Sequence, residues 1–201
     1  MKTLIFLAAL LSLGSLAGCT SAGGPIVSVP DDKTLKAISY DPDGGGLLKV
    51  TPAGVSRSRG GGANWQPLPL RGPLPSSGLS QIAVSWKNPK MLITSGPDAG
   101  VLKSDDAGLR WTGINGGMPS KQLSAVATHT DLPNTFFAAV QGNSGGIYKT
   151  EDGGGAWKRM DGGPPVSRVD GLVHSTLPGS MNTGWLYAAT PEGLYLSMDC
   201  F

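Results

Sequence analysis

Two stretches of the chain set carboxylates beside a hydroxyl, glycine and tryptophan: "GVLKSDDAGLRW" from Gly100 to Trp111 and "GIYKTEDGGGAW" from Gly146 to Trp157. Carboxylates are the residue type of general acid and base chemistry. The same side chains also build turns, because Ser, Thr and Asp oxygens accept backbone N–H groups and Gly takes positive φ without a steric penalty. The spacing favours the turn. Ser104-x-Asp106-x-Gly108-x-x-Trp111 and Thr150-x-Asp152-x-Gly154-x-x-Trp157 are copies in register. Units related by rotation point their copies away from one another, so Asp106 and Asp152 do not converge on one substrate.

Other groups are tested against chemistry in the same way. Asp98, Asp161 and Asp170 are the conceivable carboxyls of an inverting glycosidase, which needs two such groups roughly 6.5–9.5 Å apart. Asp41 and Asp43 flank Pro42 in a turn, and Asp131 precedes Leu132-Pro133 at the matching turn. Glu151 lies inside a turn copy and Glu192 stands alone. His129 and His174 recur at about one repeat, each ending a strand, with no nucleophile placed to use them. Cys200 with His174, Met181 and Met198 matches no metal-ligand spacing, so no metal or cofactor is expected. Tyr148 and Tyr195 hold the same strand position in successive repeats, which marks them as packing residues.

These residues must be positioned by a repeated β unit. The copies begin at Gly54, Gly100, Gly146 and Gly193, a period of 46 or 47 residues that signals stacked β units of propeller type. Each unit reads as four strands: "LKAISY", "LLKV", "GVSRS", "WQPL" in the first; "QIAVSW", "MLITS", "GVLKS", "WTGI" in the second; "LSAVATH", "TFFAAV", "GIYKT", "WKRM" in the third. The fourth offers "GLVHS", "WLYAAT" and "GLYLS" without a fourth strand. Either Ile26–Val29 supplies that strand and closes a small ring, or the repeats form an incomplete propeller. Composition agrees: among 201 residues with 39% hydrophobic content, 31 Gly and 16 Pro imply many turns and little helix. The net charge of +2 carries no nucleic-acid footprint.

The N-terminus reads as an address. Lys2 precedes the apolar run "TLIFLAALLSLGSLAG", which stops at Cys19 and is too short for a membrane span. "LAGC" resembles a bacterial lipobox. The resemblance implies a signal peptide over 1–18, lipidation of Cys19, a tether over 19–35 and a membrane-anchored repeat domain over 36–201. Thr20 after the cysteine, in place of Asp, points to the outer membrane of a Gram-negative host.

The two turn copies resemble the Asp-box, or BNR repeat, of sialidases and many other β-propellers. Ser58-x-Gly60-x-Gly62-x-x-Trp65 is a degenerate copy, and Ser197-x-Asp199 is a start cut short. The resemblance implies an all-β propeller of four-stranded antiparallel blades. A sialidase is expected to carry an arginine triad, a tyrosine nucleophile and an "RIP"-like segment, and that constellation is not found in the sequence. With the four strands of a unit lettered A to D in chain order, function is expected on the rim shared by the B–C turns and the blade crossings. There Arg71, Lys121 and Arg168 would stand beside Asp98, Asn143 and Glu192 and receive an anionic ligand. Two readings follow: a lipid-anchored binding or assembly scaffold for an envelope protein or glycan, resembling the Asp-box assembly factors of photosystem II, or a glycoside hydrolase.

Overall fold

The computed structural model describes residues 34–71, 78–164, 168–179 and 184–197. Cys19, the Ile26–Val29 segment, Met181, Met198 and Cys200 lie outside the described residues. The chain is a four-blade β-propeller of antiparallel sheets, with no helix among the described residues. Blade 1 is β1 (Ala37–Asp41), β2 (Gly46–Thr51), β3 (Gly54–Ser58) and β4 (Gln66–Pro67). Blade 2 is β5 (Gln81–Val84), β6 (Leu92–Gly96), β7 (Gly100–Ser104) and β8 (Thr112–Gly113). Blade 3 is β9 (Leu123–Thr128), β10 (Phe136–Val140), β11 (Gly146–Thr150) and β12 (Lys158–Arg159). Blade 4 contributes β13 (Gly171–Ser175), β14 (Trp185–Thr190) and β15 (Gly193–Ser197). Each strand falls within, or one residue beyond, a segment expected from the repeat. Glycine-opened third strands and alternating β-branched residues fix both the ends and the faces.

The first strand of each blade lies innermost, and β1 packs on β5, β5 on β9 and β9 on β13. The core is therefore three slabs between blades. Leu48, Val50 and Val55 meet Ile82, Val84 and Leu102 between blades 1 and 2. Ile93 and Val101 meet Val126, Phe136 and Tyr148 between blades 2 and 3, and Phe137 and Ile147 meet Leu172 and Leu186 between blades 3 and 4. Tyr148 and Tyr195 take part in this packing, as their repeated position implied.

The outermost strands are only two residues long, yet pairing continues one residue further. The Leu68, Ile114 and Met160 amides donate to Val55, Val101 and Ile147 carbonyls at 2.9, 3.0 and 2.8 Å. Leu68 and Ile114 then pack over the turn glycine of the following blade. A Cβ on Gly108 (φ +91°) would lie 2.5 Å from Leu68 Cδ1, and one on Gly154 (φ +100°) 2.5 Å from Ile114 Cβ. Those two glycines are required both for chain direction and for blade-to-blade approach.

Candidate functional site

The Asp-box turns are built as hairpin closures. Ser104 Oγ accepts from the Gly108 amide at 2.8 Å and donates to Asp106 Oδ1 at 2.9 Å. Asp106 Oδ1 also accepts from the Leu109 and Arg110 amides at 3.0 and 2.8 Å. Thr150 and Asp152 repeat the arrangement: Thr150 Oγ1 accepts from Gly154 N at 3.0 Å, and Asp152 Oδ1 accepts from Thr150 Oγ1 at 2.7 Å and Ala156 N at 3.0 Å. Trp111 and Trp157 are buried over the turns. The Trp111 indole N–H donates to the Gly108 carbonyl of its own turn at 3.1 Å, whereas that of Trp157 reaches back to Ile114 of blade 2 at 2.6 Å.

These contacts set the chemistry of the carboxyls. The Arg110 amide, joined by the Ser104 hydroxyl and the Leu109 amide, holds Asp106 below the usual carboxylate range. The Thr150 hydroxyl and the Ala156 amide do the same for Asp152. Lys149 lowers Glu151 and Lys87 lowers Asp131. A general acid at neutral pH needs the opposite shift. Asp106 and Asp152 are structural anions.

The degenerate first box shows what replaces a missing acid. Ser58 Oγ still accepts from the Gly62 amide at 3.0 Å, but Arg59 and Gly60 stand where the second box has Asp105 and Asp106. Lys103 and Lys149 pair with Asp105 and Glu151 of their own turns at 3.1 and 2.7 Å. Arg57, at the equivalent position, turns instead to Asp41 at 2.5 Å.

Turn-to-turn hydrogen bonds identify the two rims. Ala107 N and Gly153 N donate to Lys90 and Asn134 carbonyls, placing the boxes beside the A–B turns. Leu79 N donates to Pro52 O, Gly100 N to Lys121 O and Asp170 N to Ala189 O, placing the crossings beside the B–C turns. Exposed Asp98 and Lys121 therefore share the B–C rim of blade 2. Arg168 is at that rim as well, but its guanidinium is engaged by Asp170. Asn143 and Glu192 are exposed on B–C turns.

Arg71 does not join them. Its carbonyl accepts from Trp111 N at 3.2 Å, it forms a parallel bridge with Arg110, and it lines a recess with Pro69, Asp106, Leu109 and Arg110. The crossing runs first along the box of blade 2, where Leu68 packs against Gly108 and Arg71 pairs with Arg110. Three cations do not converge on one rim.

His129 and His174 are not equivalent either. Phe136 and Leu186 lie opposite the box residues Thr150 and Ser197, and their inner partners are Thr128 and His174. His129 thus corresponds to Ser175, Ser85 and Asp41, each of which accepts a backbone N–H of the following turn. Its Nδ1 accepts from Asp131 and Leu132 amides at 3.0 and 3.1 Å. The Nδ1 of His174 accepts from Thr130 N at 3.0 Å, the two imidazoles lie 3.8 Å apart, and both are buried. They join blades 3 and 4.

The place where all four repeats converge is a groove of about 250 Å³ along the inner strands, lined by Ser39, Gln81–Val84, Trp86, Val126–Thr128 and Gly171–His174. Trp86, which lines it, stacks on Tyr40 with ring centroids 5.8 Å apart, and both rings remain about half exposed. The sequence reading passed over this pair. Its signal was an aromatic residue closing the inner-strand segment in two successive repeats, "LKAISY" and "QIAVSW".

A family model described as photosynthesis system II assembly factor YCF48 matches residues 20–180. No curated protein sequence matches. Among solved structures, YCF48 from Cyanidioschyzon merolae superposes with a TM-score of 0.55 at 20% identity, covering 82% of this chain and 52% of that one. YCF48 bound to D1 peptide gives 0.55 at 19% identity, with 79% and 48% covered. A glycoside hydrolase family 74 xyloglucanase from Xanthomonas campestris gives 0.61 at 17% identity, with 83% and 29% covered. The chain thus spans about half the length of the YCF48 chains and under a third of the xyloglucanase.

Proposed function

The chain belongs to the YCF48 family of photosystem II assembly factors, and from that premise we propose that it is a non-catalytic scaffold that binds an extended segment of another protein in its inner-strand groove. The observation that carries this reading is the half-exposed Tyr40–Trp86 stack, whose Trp86 lines a groove to which all four blades contribute. Exposed aromatic side chains supply large contact area at low conformational-entropy cost. That a YCF48 relative has been solved with a D1 peptide supports a peptide as the class of ligand. The carboxyls of the boxes, engaged by turn amides, support the absence of catalysis. On the opposite rim, Lys121 and Asp98 would flank the bound segment.

We place the scaffold at a bacterial envelope through lipid on Cys19, with residues 1–18 removed and 19–35 as tether. Lipid chains contribute about 0.8 kcal/mol per buried methylene, and more than one chain makes attachment durable. Labelled palmitate is expected in the wild-type protein and not in Cys19→Ala. Unlabelled wild type recovered from the soluble fraction would contradict the anchor.

Binding is tested by panning a displayed peptide library against the purified protein. Enriched peptides should quench Trp fluorescence and lose at least about tenfold in affinity on Trp86→Ala, the loss typical of a central aromatic contact. Lys121→Ala should cost less, because a rim charge acts mainly through the association rate. Peptides that bind Trp86→Ala and wild type equally would remove the groove from the account.

A further inference from the structure

Three box turns lie wholly among the described residues, and they hold one backbone conformation although the acid is present in two of them. The left-handed corner is Gly61 and Gly62 in blade 1, with φ +63° and +90°. It is Ala107 and Gly108 in blade 2, with +60° and +91°, and Gly153 and Gly154 in blade 3, with +77° and +100°. The anchoring hydroxyl is kept as well. Ser58 Oγ accepts from Gly62 N at 3.0 Å, as Ser104 and Thr150 accept from Gly108 and Gly154 at 2.8 and 3.0 Å. Blade 1 keeps this shape with glycine at position 60.

The donors that the acid serves in blade 2 are therefore left over in blade 1. Asp106 Oδ1 collects the Ser104 hydroxyl and the Leu109 and Arg110 amides, whose counterparts are Ser58, Ala63 and Asn64. Ser58 is 1% exposed and its Oγ accepts two amides, but no acceptor takes its proton among the described residues. Ala63 N reaches the Gly60 carbonyl of its own turn at 3.2 Å instead, and the amide of exposed Asn64 has no acceptor among the described residues. Successive amides at a left-handed corner form an anion-binding concavity. Charge favours the same ligand. The turns of blades 2 and 3 each carry two acids, whereas that of blade 1 carries Arg59 and none. Arg59 is exposed and has no ion-pair partner among the described residues, and its Nη1 would lie 2.8 Å from a Cβ on Gly44 in the adjoining A–B turn.

We propose that the first box is a carboxylate-binding site, in which a carboxylate of a partner polypeptide takes the place that Asp106 and Asp152 fill in their own turns. It accepts from Ser58 Oγ and from the Ala63 and Asn64 amides, and Arg59 supplies the attraction. Hydrogen bonds to an ionised acceptor are the strong class. The ligand is a carboxylate because that is the group the same donors hold in the sister turns. Its source is either an acidic side chain or the C-terminus of the partner. The site rests on turn geometry and not on the inner-strand groove, so either can fail without the other.

The test is an amide NMR titration of the full chain carrying Cys19→Ala, which takes no lipid. Sodium acetate at constant ionic strength should move the Ala63 and Asn64 amides downfield along a saturable, millimolar isotherm, and sodium chloride should not. Two probes separate the sources: an acetylated, amidated glycine peptide with one central aspartate, and acetylated pentaglycine with a free carboxylate. The one that saturates at lower concentration names the source. Gly60→Asp restores the acid within the turn, where a Cβ meets nothing within 4 Å. It should shift both amides downfield without any probe and abolish the response to acetate. Arg59→Gln, on an exposed side chain, should weaken acetate binding about threefold, as expected for one solvent-exposed charge. Acetate that moves neither amide in the wild type would overturn the proposal, as would an equal response to chloride or an acetate response that neither peptide reproduces. So would an acetate response that survives Gly60→Asp or is unchanged in Arg59→Gln.

Discussion

Phe137→Ala is expected to lower stability by about 4 kcal/mol, read as a drop in urea midpoint with little change in slope. Phe136 and Phe137 are adjacent on β10, both fully buried, and strand alternation sends them into different slabs. Phe137 fills the slab between blades 3 and 4 and lies 5.7 Å from His174 and 6.4 Å from His129. Its removal leaves a cavity lined by aliphatic side chains and takes away the support of the buried imidazole pair, which cannot collapse inward without losing the Thr130, Asp131 and Leu132 amide contacts. Leu109→Ala, on an exposed turn, is the control and should move stability by less than about 0.5 kcal/mol. Equal effects for the two would show that the slabs between blades do not hold the fold.

Arg57→Met is expected to cost about 3 kcal/mol, the range for removing one partner of a buried ion pair. Asp41 is fully buried; Arg57 Nε donates to its Oδ2 at 2.5 Å and the Asp43 amide to its Oδ1 at 3.1 Å. Without Arg57 the carboxylate keeps one amide and loses its counter-charge. Adding Asp41→Asn should recover part of the loss, because the neutral amide no longer needs that charge. Chemical denaturation of the single and double variants checks this. If the double variant is as unstable as the sum of the singles, the pair is not a coupled unit.

The strands were legible because the repeat supplies four independent readings of one pattern. Gly54, Gly100, Gly146 and Gly193 mark the third strands, and the boxes at Ser104–Trp111 and Thr150–Trp157 mark the turns that follow. The chemistry of those boxes could also be read, since Ser, Asp and Gly at fixed offsets have few other ways to satisfy a tight turn. Arg71 could not be placed, because its rim depends on the packing of Leu68 on Gly108 and the pairing of Arg71 with Arg110, tertiary facts about the next blade. The Asp41–Arg57 pair joins residues 16 apart on strands that are not neighbours, in a blade whose box has Arg59 and Gly60 where the second box has its acids. The near-period of His129 and His174 misled for a related reason. Differing turn lengths shift sequence period from structural register, and only strand pairing shows that His129 matches Ser175.

The central claim is that this propeller binds without cleaving, and turnover is its most direct test. Purified folded protein incubated with xyloglucan, mixed-linkage β-glucan and sialoside substrates is expected to release no reducing ends or free sialic acid above a heat-denatured control. Sustained release by the wild type that disappears in Asp98→Asn or Asp170→Asn, with the fold of each variant intact, would contradict the account and make the chain a glycoside hydrolase.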